Sequence, residues 1–266
     1  MEEVSRVVET QSSLVVGAKP DGASDTVSAG RAVREMFTAI APRYDLLNHV
    51  LSFNVDRLWW RRTARSFAHV FAQADSRILD LCCGTGDMTF ALLKQAGKRH
   101  SQIVGADFSH AMLQRARQKS HDKVADNDKP EIPRWIEADA LCLPFPGEHF
   151  NLVTSAFGFR NLADYDAGLR EIARVLKAGG ECGILDFSEP KGLTGNLYRL
   201  YFKQVLPRVG TIISGVRGPY AYLPNSVERF PPPEEMLHRM RQAGFREASW
   251  TAYTFGIAGL YRGKKA

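Results

Sequence analysis

The chain has 266 residues, of which 44% are hydrophobic and 24% charged, and this composition excludes collagen-like, low-complexity and disulfide-framework proteins. Its net charge is +6. No stretch approaches the roughly 18 apolar residues that a membrane-spanning helix needs, and the acidic first residues are unlike a secretory signal. Four cysteines without a CxxC pair predict reduced thiols in a cytoplasmic protein and argue against a zinc site.

The first predicted elements are a tail and two helices. Residues 1–28 lack any periodicity and predict a flexible tail. Apolar residues at helical spacing predict a helix over 33–40, which Pro42 ends, and a second helix over about 55–72.

From residue 77 onward, predicted strands alternate with predicted helices. The strands lie at 78–81, 103–107, near 136, at 150–155 and at 183–187, with helices over 88–95, around 112–116 and over 165–176. This alternation predicts βαβ units and a parallel sheet buried on both faces. A largely helical insert over 193–230 precedes a helix over 234–243 and strands near 248–252 and 256–261. We therefore predict one doubly wound α/β domain, residues 29–266, with helical cap segments 31–74 and 193–230.

A glycine turn follows the first predicted strand and leads into a helix. The strand ends at Asp80, and Gly84, Thr85 and Gly86 form the turn. In an open α/β sheet, such a turn forms a nucleotide-binding crevice at the carboxyl edge. Asp107 ends the second strand, where a carboxylate can accept hydrogen bonds from both hydroxyls of a ribose.

The residues around this turn discriminate between nucleotide ligands. Positions 84–89 lack the third glycine of the dinucleotide fingerprint, and Asp87 at the helix N-terminus would repel a pyrophosphate. S-adenosylmethionine has no phosphate and carries cationic sulfonium and ammonium groups, so it fits better than NAD. Asp139 and Ala140 end the third strand, beside the expected adenine. A single Asp is commonly a helix cap or turn residue, but acids at three successive strand ends favour a cofactor site.

Further motifs resemble one enzyme family. They are Tyr44-Asp45-Leu46-Leu47-Asn48 with Leu51, Ser52 and Trp59, residues 79–87, residues 157–161, and residues 174–180 with 185–188. Over about residues 31–263 the chain resembles the menaquinone/ubiquinone biosynthesis C-methyltransferase family. The resemblance implies methyl transfer from S-adenosylmethionine to a ring carbon of a prenylated quinol, either demethylmenaquinol or the benzoquinol of the ubiquinone pathway. It also implies a class I methyltransferase (Rossmann-like) sheet of seven strands with the last antiparallel.

Three positions depart from the family pattern. Asp56 stands where the first signature usually has His, and Asp186 stands where the second usually has Glu. Ala156 stands where ubiquinone-pathway members carry a Ser that is thought to contact the cofactor. The last departure favours the menaquinone branch.

Candidate catalytic residues follow from the chemistry that the resemblance implies. A hydroquinone ring carbon becomes nucleophilic when a hydroxyl loses its proton, and a cation lowers the pKa of that hydroxyl. Arg160, just past the fourth strand, is predicted to point into the cleft as this cation, with a water or another residue as the base. Asn161 and Tyr44 are predicted to orient the hydroxyl or that water. The alternatives are a structural ion pair for Arg160 and core packing for Tyr44, and no metal is expected.

Two segments carry the positive charge and predict the partners. Residues 31–65 contain seven arginines against three acids, and residues 190–219 contain five basic residues, no acid and many large apolar side chains. Because a prenyl tail resides in a bilayer, residues 197–206 and 57–65 predict a lid that contacts anionic lipid at the inner face of the cytoplasmic membrane. The alternatives are an ordinary helical cap and a solvated basic face.

The same residues argue against three other functions. A nucleic-acid methyltransferase would need a flipped-base loop after the fourth strand, where residues 156–159 read Ala-Phe-Gly-Phe, so no nucleic-acid partner is expected. The missing third glycine and Asp87 also weaken an NAD-dependent oxidoreductase, and a non-catalytic binding protein would not be expected to keep the full cofactor set. A homo-oligomeric state stays open.

Overall fold

A computed structural model describes residues 17–20, 22–45, 52, 54–97, 101–125, 132–190, 195 and 219–266. The helices are α1 Thr26–Ile40, α2 Val55–Ser66, α3 Ala68–Phe71, α4 Asp87–Ala96, α5 His110–Ala125, α6 Tyr165–Val175, α7 Pro219–Arg229 and α8 Pro233–Gln242. The strands are β1 Arg77–Leu81, β2 Gln102–Asp107, β3 Arg134–Glu137, β4 Phe150–Ala156, β5 Leu176–Phe187, β6 Phe245–Tyr253 and β7 Ala258–Lys265. Short 3-10 turns lie at Ala41–Arg43, Phe159–Asn161 and Thr254–Gly256.

The strands form one seven-stranded sheet in the order β3-β2-β1-β4-β5-β7-β6. Strands β1 to β5 are parallel, and β7 runs antiparallel between β5 and β6. The predicted doubly wound sheet with an antiparallel last strand is confirmed. The strand order reverses at β1, which lies between β2 and β4, and ligands of open α/β sheets bind at such a switch point.

Side chains of the central strands alternate between two separate cores. In β1, Ile78 packs with Trp59 and Leu92 on one face, whereas Leu79 packs with Leu169 on the other. Ile78 and Leu79 are both fully buried, because helices cover both faces of the sheet. This double burial explains the continuous apolar runs in the sequence.

Helix α1 begins earlier than its apolar spacing predicts. The Asp25 carboxylate accepts a hydrogen bond from the Ser28 N–H at 2.7 Å, and the Ser28 hydroxyl accepts one from the Asp25 N–H at 3.1 Å. Upstream, the Ala18 N–H donates to the Leu162 carbonyl at 2.7 Å. Residues 17–20 and 22–28 therefore belong to the folded domain, and the predicted tail boundary at residue 28 lies inside α1. The capping box is unrecognisable in the sequence because Ser replaces the usual Glu or Gln.

The insert after β5 is described only in part. Residues 219–229 form α7, as predicted, whereas most of the predicted lid and cap, residues 191–194 and 196–218, lies outside the described residues. Within the described ranges, no helix is both long and apolar enough to cross a membrane.

Candidate active site

A cavity of about 410 Å³ lies at the carboxyl edge of the sheet, where β1, β2 and β4 end. The strand ends contribute Asp80, Asp107, Asp139, Ala140 and Asn161 to its lining. Helix α1 and the turn after it form another wall. The parallel topology thus brings the acids of three predicted strands together in one cavity.

The turn after β1 lets a ligand approach the backbone at Gly84. This residue has φ 55°, and a Cβ there would meet only the Tyr44 ring, at 3.9 Å. The Gly84 N–H donates to Asp107 Oδ2 at 2.8 Å, so the turn also orients the acid at the end of β2. Gly84 therefore occupies the position predicted for close approach to a cofactor.

Gly86, the second glycine of this turn, packs against a tryptophan ring. The described residues that line the cavity include Gly84 and Thr85 but not Gly86. Gly86 has φ 90°, and a Cβ there would come within 2.5 Å of the Trp135 ring. Gly86 therefore leaves space for Trp135 of β3, and its role in cofactor binding stays a prediction.

Two buried carboxyl groups form the polar floor of the cavity. Asp80 accepts hydrogen bonds from the hydroxyls of Thr89 at 2.5 Å and Thr154 at 2.9 Å. Its pKa is raised to about 7: burial is the main cause and the nearby charge of Asp107 adds to it, whereas the bonds from both threonines favour the ionised form. Burial likewise raises the pKa of Asp107 to about 6 against the N–H groups of Ser109 and Gly84. A cation bound here would favour the charged form of both acids.

Asp139 and Ala140 occupy the adjoining part of the cavity. The Asp139 side chain is exposed, and its Oδ1 accepts a hydrogen bond from the Leu141 N–H at 2.9 Å, while Ala140 is buried. Both residues line the cavity, as predicted.

An ion-pair cluster, which we call the Lys119 cluster, joins α5, the glycine turn and the segment after α1. The Lys119 ammonium donates to Asp45 at 3.0 Å, to Asp87 at 2.7 Å and to the Thr85 hydroxyl at 3.1 Å. The Thr85 hydroxyl donates to the second Asp45 oxygen at 2.5 Å. Thr85 also lines the cavity, and its role in cofactor binding stays a prediction. Sequence reasoning missed Lys119, whose partners lie more than 30 positions away.

Tyr44 and Asn161 face the cavity, as predicted. The Asn161 side chain is 8% exposed, and its Nδ2 lies 3.5 Å from the Phe157 carbonyl. Within the described part of the chain, Asn161 Oδ1 has no hydrogen-bond partner. Burying an amide oxygen without a hydrogen-bond partner costs free energy. A ligand that donates a hydrogen bond to this atom would recover that free energy.

Arg160 lies behind the cavity wall rather than in it. Its guanidinium donates to Asp186 Oδ1 at 2.9 Å and to the Phe157 carbonyl, and its backbone N–H donates to Asp186 Oδ2 at 3.0 Å. Arg160 is absent from the described lining. The prediction that it points into the cleft is therefore corrected: Asp186 is fully buried, and a buried carboxylate requires a cation beside it.

Helix α1 supplies cavity residues that sequence reasoning also missed. Gly30, Arg31, Arg34 and Phe37 line the cavity, and the Arg34 guanidinium lies 5.4 Å from the centre of the Phe108 ring. The amphipathic spacing of α1 predicted a buried face but not what that face covers. In the described ranges, no group of three or more His, Cys, Asp or Glu side chains is arranged to hold a metal ion. That the reaction needs no metal stays a prediction.

Comparisons with known proteins give the family of this chain and the class of its fold. The model of the ubiE/COQ5 methyltransferase family matches residues 25–265. A demethylmenaquinone methyltransferase of Deinococcus radiodurans is 49% identical over 91% of this chain and 95% of its own length. An enzyme of the same name from Thermus thermophilus is 48% identical over 86% of this chain and its full length. In fold, the chain is similar to a SAM-dependent methyltransferase of Thermotoga maritima, with a TM-score of 0.59 and 18% identity over 88% of this chain and 100% of that one.

Proposed function

Because the chain belongs to the ubiE/COQ5 methyltransferase family, we propose that it methylates a ring carbon of demethylmenaquinol with S-adenosylmethionine. The observation that carries this proposal is the cavity itself, where three strand-end acids converge beside a bare glycine turn. The relatives named demethylmenaquinone methyltransferase, similar over nearly their whole length, support the choice of quinol.

The residues present fit S-adenosylmethionine, which supplies a methyl group on a positively charged sulfur. Asp107 would accept hydrogen bonds from the ribose hydroxyls, because the N–H groups of Gly84 and Ser109 already orient its carboxylate. Asp139 and Ala140 would lie beside the adenine. Asp80 would face the cationic end, where its negative charge offsets the charge of the ligand. The Gly84 and Thr85 backbone would follow the ligand between these acids.

On the substrate side, Asn161 is the residue best placed to hold the quinol. Its Oδ1, unpaired among the described residues, accepts a hydrogen bond from a ring hydroxyl or from a water that takes the hydroxyl proton. Tyr44, which lines the cavity beside Gly84, orients the same hydroxyl from the wall built by the segment after α1. Holding the ring carbon about 3 Å from the methyl group is the largest contribution such groups make.

Arg160 acts through its neighbours as a positioning residue. It binds the Phe157 carbonyl and Asp186, so it holds the 157–161 loop that carries Asn161 against the end of β5. The proton leaves the ring hydroxyl before the new carbon–carbon bond forms, and the ring C–H proton leaves afterwards to restore the aromatic ring.

The prenyl tail sets the location of this reaction. A quinol with such a tail resides in the bilayer, so we place the protein at the inner face of the cytoplasmic membrane as a peripheral protein. The predicted lid over 197–206 lies outside the described residues and remains a prediction.

A methylation assay with short-tailed quinols tests the function. The full-length protein is incubated with S-adenosylmethionine and either a naphthoquinol or a benzoquinol under reducing conditions, and products are read by mass spectrometry. We expect one added methyl on the naphthoquinol ring and much slower turnover of the benzoquinol. Faster turnover of the benzoquinol would move the protein to the ubiquinone pathway. Binding of NAD but not of S-adenosylmethionine in a parallel titration would overturn the methyltransferase assignment.

A further inference from the structure

Two exposed apolar side chains lie on connected elements, α2 and the β6–β7 hairpin. Among the described residues, Leu58 is 48% exposed and Phe255 is 84% exposed. The Trp59 indole N–H donates to the Thr254 hydroxyl at 2.8 Å, so the helix segment that carries Leu58 is joined to the turn that carries Phe255.

This surface adjoins the cavity. The β6–β7 hairpin that carries Phe255 lies at the carboxyl edge, because Ala258 at the start of β7 pairs with Phe187 at the end of β5. On α2, Trp60 lines the cavity, and the Trp59 ring lies 5.7 Å from that of Phe157, which also lines it. Helix α2 therefore contributes to the cavity wall through Trp60 and exposes Leu58 on another of its faces.

Phe255 has a backbone conformation that suits other residues better. Its φ of 57° and ψ of 22° are left-handed, a region that Gly and Asn adopt far more easily than an aromatic residue. With most of its ring in solvent, Phe255 gains little packing in return. The ring therefore has no evident role in the described fold, and a partner that buries it is the simplest function.

The same surface is strongly basic. Residues three or four apart share a face of a helix, so Leu58 lies among Arg61, Arg62 and Arg65 on α2, and all three arginines are exposed. Exposed Arg57 adds a fourth charge at the end of α2 nearest the hairpin. The Arg62 guanidinium lies 4.3 Å from the centre of the Tyr253 ring, which continues the basic face onto β6.

Nearby acids leave this charge largely uncompensated. Asp56, on the same helix, is only 3% exposed and faces the interior. Glu189 is exposed next to Pro190, which the hairpin approaches at Gly256. Of these two acids only Glu189 is exposed, whereas all four arginines are exposed, so the described residues of this surface have a positive excess.

We propose that one surface docks the protein on an anionic lipid bilayer. This surface, which we call the Phe255 surface, consists of Leu58, Phe255 and the four arginines of α2. The arginines pair with lipid phosphates, and the Phe255 ring enters the interface between headgroups and acyl chains. The inference rests on the proposed function, since docking here presents the cavity to a prenylated quinol in the membrane. It assigns the contact to α2 and the β6–β7 hairpin, independently of residues 197–206.

Vesicle binding tests the surface without any substrate. Phosphatidylcholine vesicles with and without phosphatidylglycerol are sedimented with the full-length protein at low and high salt. We expect salt-sensitive binding to the anionic vesicles alone. Phe255→Asn should weaken binding by about tenfold. The Arg57→Gln/Arg61→Gln pair should weaken it by about 25-fold, at about fivefold per charge. Asn suits the left-handed backbone, so Phe255→Asn should unfold at the same or a higher temperature while it loses binding.

Matched controls distinguish binding through this surface from nonspecific hydrophobic adsorption and from an effect of net charge alone. Ile132→Asn removes another exposed apolar side chain outside the surface, and Arg170→Gln/Arg241→Gln removes two exposed charges on α6 and α8. Both controls should bind vesicles like the wild type. Equal losses in the controls, no binding by the wild type, or a dimer that Phe255→Asn dissociates would each overturn the proposal. Methylation of a tail-less quinol should be unchanged in Phe255→Asn, so failure here is distinguishable from failure of the proposed function.

Discussion

Replacing Asp80 by Asn tests the electrostatic account of the cavity floor. Asn keeps the size of the side chain and can still bond to the hydroxyls of Thr89 and Thr154, so the substitution mainly removes a buried charge. Since burial raises the pKa of Asp80 from 3.8 to about 7, the native state binds its proton more tightly than the unfolded chain does. The contribution of the protonated group to stability is therefore complete below about pH 4 and is lost as the pH rises towards 7.

The magnitude follows from the size of the shift. Each pKa unit corresponds to about 1.4 kcal/mol, so ionising Asp80 in the folded, ligand-free protein costs up to about 4 kcal/mol at high pH. Between pH 5 and pH 8, about 2–3 kcal/mol of this cost should develop. The Asn variant has no such ionisation cost, so its free energy of unfolding should rise relative to that of the wild type from pH 5 to pH 8.

Urea unfolding followed by circular dichroism at a series of pH values measures this difference. Taking the variant minus the wild type cancels the titrating groups that do not interact with Asp80, and Asp122→Asn on the exposed face of α5 provides the matched control. A constant difference from pH 5 to pH 8 would refute the argument, since Asp80 would then titrate alike in the folded and unfolded states. The variant should also lose affinity for S-adenosylmethionine, because the compensating negative charge is gone.

Four further substitutions test individual contacts. Lys119→Met leaves two carboxylates of its cluster facing each other, so calorimetry should show weaker S-adenosylmethionine binding that Lys119→Arg largely restores; unchanged affinity would limit the cluster to a structural role. Asp107→Ala should weaken binding of the cofactor and its demethylated product by about 2 kcal/mol, and unaltered affinity would remove the ribose assignment. Arg160→Lys should lower turnover at least about tenfold at unchanged cofactor affinity, because an ammonium cannot bond in the same fork geometry; turnover near the wild-type value contradicts this. Gly86→Ala should destabilise the fold by about 2 kcal/mol through backbone strain, in addition to its clash with Trp135, and an unshifted melting temperature would be inconsistent with that packing.

Much of the site could be predicted because its signals are local. Asp80, Asp107 and Asp139 each follow a short apolar run, and parallel strands bring their carboxyl ends to one edge, so convergence follows from topology alone. The contacts that sequence reasoning missed are those between residues far apart in the chain. Gly86 matches a cofactor motif, but its neighbour Trp135 lies 49 positions away. No periodicity or motif contains that contact.

The sequence by itself determined the order of strands and helices, the seven-stranded sheet and the type of cofactor, since apolar runs, glycines and strand-end acids report on their own surroundings. Only the tertiary structure decided what each charged side chain faces. Arg160 pairs with Asp186 because β4 and β5 are adjacent, and a buried carboxylate draws the nearest cation away from the cavity. Lys119 bonds to Asp45 because Coulomb attraction depends on distance in space and not on the 74 positions that separate the two residues in the chain.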